Sequence, residues 1–138
     1  MLAALLFVAQ ASAPALLTLR VEVTQLRNNA GGVLIALYDD AAGFPKNPEK
    51  AVRKAYLMIK EQHAEVTFKD LAPGEYAVAI IHDENANKKM DTNFIGMPKE
   101  GVGASNDAKG FMGPPKFKDA KFSLTKNDQT IVIPLHYL

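Results

Sequence analysis

Residues 17–24, Leu-Thr-Leu-Arg-Val-Glu-Val-Thr, alternate apolar and polar side chains without a break. Leu17, Leu19, Val21 and Val23 face one way, Thr18, Arg20, Glu22 and Thr24 the other, which is the period of a half-buried strand. Asn28-Asn29-Ala30-Gly31-Gly32 reads as a turn whose residues tolerate positive φ, and Val33–Tyr38 is almost wholly apolar. This predicts a central strand that forms a first hairpin with residues 17–24. Residues 39–48 carry Gly43, Pro45 and Pro48 and predict a loop. Pro48–Lys54 predicts one helical turn, capped by Asn47 and with Pro48 at the first helical position. Strands are expected over 55–59 and 64–68, joined by the charged turn Lys60-Glu61-Gln62-His63.

Pro73-Gly74 fits the middle of a type II turn, where proline fixes φ and glycine supplies a positive one. Tyr76, Val78 and Ile80 then share one face of a further strand. Closing strands are expected over 120–124 and 130–135, about the turn Lys126-Asn127-Asp128. About seven short strands, regular turn signals and little helix predict an all-β chain, an antiparallel β-sandwich.

Residues 82–118 break this rhythm: they are polar, glycine-rich and without periodicity. Loops beyond about 12–15 residues tend to be functional. His82-Asp-Glu-Asn-Ala-Asn-Lys-Lys-Met-Asp91 spaces oxygen side chains in the manner of a calcium loop. Calcium takes six to eight hard oxygen ligands, and Asp83, Asn85, Asn87, the carbonyl of Lys89 and Asp91 occupy the spacing that can wrap it. An EF-hand has glycine at its sixth position and glutamate at its twelfth; here those are Lys88 and Phe94. A site would therefore draw a further ligand from Glu100, Asp119 or water, and would be weak. The competing reading is an Asx-rich turn whose side chains bond their own backbone.

Other chemistry is sparser. His82 with Met90, Met97 and Met112 offers imidazole and thioether ligands suited to copper. Asp83, Glu84, Asp91 and Glu100 offer carboxylates for a small hydrolase. Ser105 lacks a nucleophile elbow, and Gly101-Val-Gly-Ala lacks the lysine and helix of a phosphate loop. His63, His82 and His136 are far apart in sequence. Phe111, Phe117 and Pro114-Pro115 are expected to pack the loops against the end of the sandwich rather than to form a ligand surface. Gly96, Gly101, Gly103, Gly110 and Gly113 permit the tight backbone paths this needs.

Composition narrows the classes. Sixteen Lys plus Arg against fifteen Asp plus Glu give a net charge of +1, which excludes the basic footprint of a nucleic-acid binder. The 138 residues contain no cysteine, so disulfides, zinc-thiolate sites and thiol catalysis are excluded. Charge is unevenly spread, because the first charged residue is Arg20. Met1–Ala9 is an unbroken apolar run, followed by Gln10-Ala-Ser-Ala-Pro-Ala15, the h-region and small-residue end of a signal peptide. A spanning helix needs about 20 apolar residues. The expected organisation is a signal peptide over 1–15 and one domain over 16–138, secreted or periplasmic, with no transmembrane segment after cleavage.

Asp70-Leu-Ala-Pro-Gly-Glu-Tyr-Ala-Val-Ala-Ile-Ile-His-Asp-Glu-Asn-Ala-Asn, its continuation to Gly101, Ser105-Asn106 and Gly113-Pro-Pro-Lys-Phe-Lys-Asp-Ala120 occur in an order that resembles the bacterial DUF2141 family. The resemblance covers about residues 17–138. It implies an immunoglobulin-like or transthyretin-like sandwich behind a signal peptide, and it implies no activity. The family's usual loop is D-x-N-x-N-G-x-x-D, so Lys88 stands where glycine is common. The expected function is a non-enzymatic exported binding or structural module, with calcium as its candidate ion and an envelope protein or another ligand as its partner.

Overall fold

The computed structural model describes residues 15–87, 100–110 and 113–137. Residues 1–14 of the expected signal peptide, together with residues 88–99, 111–112 and 138, lie outside them. Among the described residues, eight strands form two sheets. They are β1 Leu17–Thr24, β2 Gly32–Tyr38, β3 Arg53–Met58, β4 Ala64–Leu71, β5 Gly74–Asp83, β6 Val102–Ala104, β7 Phe122–Leu124 and β8 Gln129–Pro134. One sheet runs β4-β1-β8; the other runs β3-β2-β5-β6, with β7 also paired to β5. A four-residue helix, α1 Phe117–Ala120, precedes β7. The all-β expectation holds.

The alternation in β1 works as read: Leu17, Leu19, Val21 and Val23 are buried. They meet Val33, Ile35 and Leu37 of β2, Val78 and Ile80 of β5 and Ile133 of β8 in one core. Each such side chain contributes about 1.5–3 kcal/mol by leaving water.

Strand partnership differs from the hairpin reading. β1 and β2 do not pair; residues 25–31 carry the chain from one sheet to the other. Left-handed Gln25 (φ 61°) and Gly31 (φ 65°) shape that crossing. The apolar faces of β1 and β2 thereby oppose each other across the core, which buries both, where hairpin pairing would set them side by side. β3 and β4 are likewise split between sheets. β1 and β8 pair in parallel, so the sheets are not wholly antiparallel. No tight turn joins these two strands, and nothing in their connection demands opposite directions.

The expected helical turn shrinks to a 3-10 turn, Pro48–Lys50, in which Asn47 Oδ1 accepts from the Glu49 N–H at 3.2 Å. Arg53 and Lys54 are claimed instead by pairing with Leu37 and Ala36 of β2. The type II turn at Pro73-Gly74 is also corrected. Gly74 begins β5 without positive φ, and the left-handed residue is Asp70 (φ 61°). The chain is changing sheets here rather than reversing within one. The Tyr76 hydroxyl fastens this crossing by donating to the Ala72 carbonyl at 2.6 Å.

Part of the expected loop 82–118 is ordered structure. β6 pairs with Ala79–Ile81 of β5. Buried Ser105 accepts from the Val78 N–H at 2.9 Å and donates to the Ala120 carbonyl at 2.6 Å, so its role is to lock α1 onto the sheet. Among the described residues, no helix is long and apolar enough to cross a membrane.

Candidate functional site at the Asp83 end

β5 ends at Asp83, and strand alternation sends its last two side chains to opposite sides. His82, beside Val33, turns into the core and is fully buried. Its Nε2 lies 2.8 Å from the Ala30 carbonyl and its Nδ1 lies 2.7 Å from the Tyr137 hydroxyl. The same hydroxyl accepts from the Arg27 N–H at 3.1 Å. The Arg27 guanidinium sits over the Tyr137 ring, 4.5 Å from its centre, and donates to Glu84. Asn28 Nδ2 donates to the other Glu84 oxygen at 3.0 Å. One network thus joins the 25–31 crossing, the end of β5 and the last residues of the chain.

Partial burial raises the Glu84 pKa, but hydrogen bonds from Arg27 and Asn28 and the Arg27 charge outweigh it, holding the carboxyl below its ordinary value. A lowered folded-state pKa means that the pairing stabilises above the usual glutamate range and is lost as pH falls through the lowered value. Glu84→Gln is expected to flatten the acid limb of a thermal-midpoint profile below about pH 4.5. A variant with the wild-type acid limb would show that this pair does not set it.

Asp83 faces outward from the core yet is fully buried. The Tyr56 hydroxyl donates to its Oδ2 at 3.3 Å, and the Asn87 N–H donates to its Oδ1 at 3.2 Å. Asn85 Oδ1 accepts from that same N–H, also at 3.2 Å. Burial, then the charges of Asp83 and Glu100, raises the Tyr56 pKa and keeps its hydroxyl a donor. The Glu100 carboxylate is buried and accepts from the Glu84 N–H at 3.0 Å, while the His82 N–H donates to the Gly101 carbonyl at 2.8 Å. The two glycines of the crossing are explained here. A Cβ on Gly31 would overlap the Asp83 carbonyl oxygen, and one on Gly32 would meet the Tyr56 ring at 2.5 Å.

The structure therefore gathers Asp83, Asn85 and Asn87, and adds Glu100. Lys89 and Asp91 lie outside the described residues, as do Met90 and Met97. Asp119 is not brought in: α1 packs against Ala77, six positions back along β5 and so about 20 Å from Asp83. Among the described residues, no three His, Asp or Glu side chains cluster as a metal site. The oxygens of Asp83 and Asn85 form an Asx arrangement on the Asn87 amide. Asp83 meets Tyr56 on one side, whereas Glu84 meets Arg27 and Asn28 on the other.

Of the remaining candidates, Phe111 and Met112 also lie outside the described residues. Both ring nitrogens of His82 are engaged within the protein. His136 Nε2 lies 2.7 Å from Asp107 Oδ1, and His63 lies 3.8 Å from Glu65. Phe117 packs edge-on to Phe44, with ring centres 5.9 Å apart. Gly101 leaves room for the Tyr137 ring, and Gly103 for Leu135. Tyr137, Arg27 and Tyr56 were invisible to sequence reasoning, since none stands in a motif or beside the loop it serves.

The family model of DUF2141, an uncharacterized protein conserved in bacteria, matches residues 21–132. No curated protein and no solved structure matches the chain.

Proposed function

The chain belongs to the DUF2141 family, and from that premise we propose that it is an exported, non-enzymatic binding module of immunoglobulin-like sandwich form, whose Asp83 end is stiffened by calcium. The observation that carries the calcium reading is the convergence of the Asp83 and Asn85 oxygens on one amide, with the Glu100 carboxylate held beside them. Carboxylate and amide oxygens are the hard donors that calcium takes. Asn87 supplies the next oxygen in the spacing, and Asp91 with the Lys89 carbonyl completes the set. The ion would tie the long loop to the end of β5 and order it for an envelope protein or another ligand. The sandwich form is supported by the shared core of the two sheets and by the Tyr76 bond across the β4–β5 crossing, a device that immunoglobulin-like sandwiches use. Export is supported by the apolar run Met1–Ala9 and the uncharged, small-residue stretch that follows to Ala15.

A thermal melt of metal-stripped protein tests the ion. With a dissociation constant near 1 mM, as in weak extracellular sites, about 10 mM calcium adds about 1.4 kcal/mol. For a domain of this size the midpoint should rise by about 4–6 °C. Asn85→Ala and Asp91→Ala should each abolish the rise. No rise with calcium, or an equal rise in both variants, overturns the site.

A further inference from the structure

We propose that the outer face of the five-stranded sheet binds a small amphiphilic anion, an alkyl or aryl carboxylate, with its apolar body on Leu34, Ala36, Ala79 and Ile81 and its charged end at Lys54. This site adjoins the Asp83 end, with which it shares Tyr56, and stands without the calcium reading.

An outer sheet face ordinarily carries polar side chains. Here the outward positions of β2 are Leu34, Ala36 and Tyr38, alternating with the core residues Val33, Ile35 and Leu37. The register extends this apolar floor sideways. Tyr56, Leu34 and Ile81 form one row across three strands, and Lys54, Ala36 and Ala79 form the next. The two alanines make a depression between larger neighbours. Residues 39–51 fold over it, held by the edge-on contact of Phe44 with Tyr38 at 5.3 Å, and Pro45 and Pro48 wall one side. The result is a cleft of about 370 Å³, within the size range of small-molecule sites and, like them, apolar with few polar groups. Burial pushes Tyr38 up to about 12, so its hydroxyl stays neutral there.

Charge decides the class of ligand. The charged groups on the wall are Lys54 and Glu49, paired at 3.1 Å with both side chains largely exposed. Such a pair is worth little, so Lys54 can exchange Glu49 for an arriving carboxylate. Residues 39–58 carry Lys46, Lys50, Arg53 and Lys54 against Asp39, Asp40 and Glu49, a slight positive excess that favours an anion over a cation.

Three probes of equal chain length separate the contributions: decanoate, 1-decanol and decylammonium, each below its aggregation limit and followed by calorimetry and amide chemical shifts. Decanoate should bind saturably and more tightly than either of the others. Its shifts should centre on residues 34–36, 54–56 and 79–81. Lys54→Met, an exposed substitution, should weaken decanoate by about fivefold and leave decanol unchanged. Ala79→Leu, checked for folding by its melt, should weaken both by about tenfold. No saturable decanoate binding, tighter decylammonium, shifts centred elsewhere, or a Lys54→Met variant that binds decanoate as the wild type does each overturn the proposal. If Ala79→Leu does not fold, the Lys54→Met and decanol comparison decides it.

Discussion

Gly31→Ala is expected to lose about 3–5 kcal/mol of stability in urea denaturation followed by circular dichroism. Two separate costs coincide at this position. Gly31 has φ 65°, a left-handed backbone that costs an alanine about 1–2 kcal/mol. Its new Cβ would also overlap the Asp83 carbonyl oxygen and approach the Glu84 carbonyl carbon to 2.9 Å. Both obstacles are backbone atoms, so no side-chain rotation relieves them. The chain must instead open the β2–β5 pairing where Gly32 faces Asp83, and with it the base of the polar loop. Against a total stability of about 5–15 kcal/mol for a domain, this is a large fraction. Gly74→Ala is the control. Gly74 has no positive φ, and its Cβ would meet nothing nearer than Tyr76 Cε2 at 4.0 Å. It should change stability by no more than about 1 kcal/mol, in the stabilising direction. If Gly31→Ala matches that control, the close approach of the crossing to β5 is wrong.

These two glycines also mark how far the sequence could be read. Gly31 was legible as a turn residue, because positive φ is a local property. Its second reason, the passing backbone of Asp83 and Glu84, belongs to residues more than fifty positions away. The same division runs through the fold. The alternation of β1 exposed its buried face, yet it carried no information about which strand would lie beside it, since any edge with a matching apolar face satisfies the pattern. Hence the apparent hairpin of β1 and β2 became a crossing between sheets. At the loop, spacing alone brought Asp83, Asn85 and Asn87 together on the page and in the structure. Glu100 and Asp119 were equal candidates by residue type. Only the pairing of β6 with β5, and the packing of α1 against Ala77, separates the one that closes the loop from the one at the far end. Composition placed His82 among the possible metal ligands because an imidazole in a polar loop looks available. The strand continues two residues further than its apolar run suggested, and that extension turns the ring inward.

His82→Ala is expected to be the second most damaging change, at about 4 kcal/mol. The Ala30 carbonyl can only accept, so His82 Nε2 carries the proton and Nδ1 is left to accept from the Tyr137 hydroxyl. The hydroxyl spends its one proton there and takes the Arg27 N–H on its oxygen. Every donor in this chain meets an acceptor, within a site sealed from water at His82. Removing the ring leaves a cavity beside Val33 and deprives the Ala30 carbonyl and the Tyr137 hydroxyl of their partners. Tyr137→Phe keeps the packing of the ring and the stacked Arg27, but strands Nδ1 and the Arg27 N–H, and should cost about 1–2 kcal/mol. Because the two residues share one bond, the double variant should lose less than the sum of the single losses. Faster amide exchange at Arg27 in Tyr137→Phe would locate the effect in the 25–31 crossing. A His82→Ala variant that loses under about 1 kcal/mol, or strict additivity with Tyr137→Phe, would show that the buried imidazole does not hold the crossing, β5 and the chain end together.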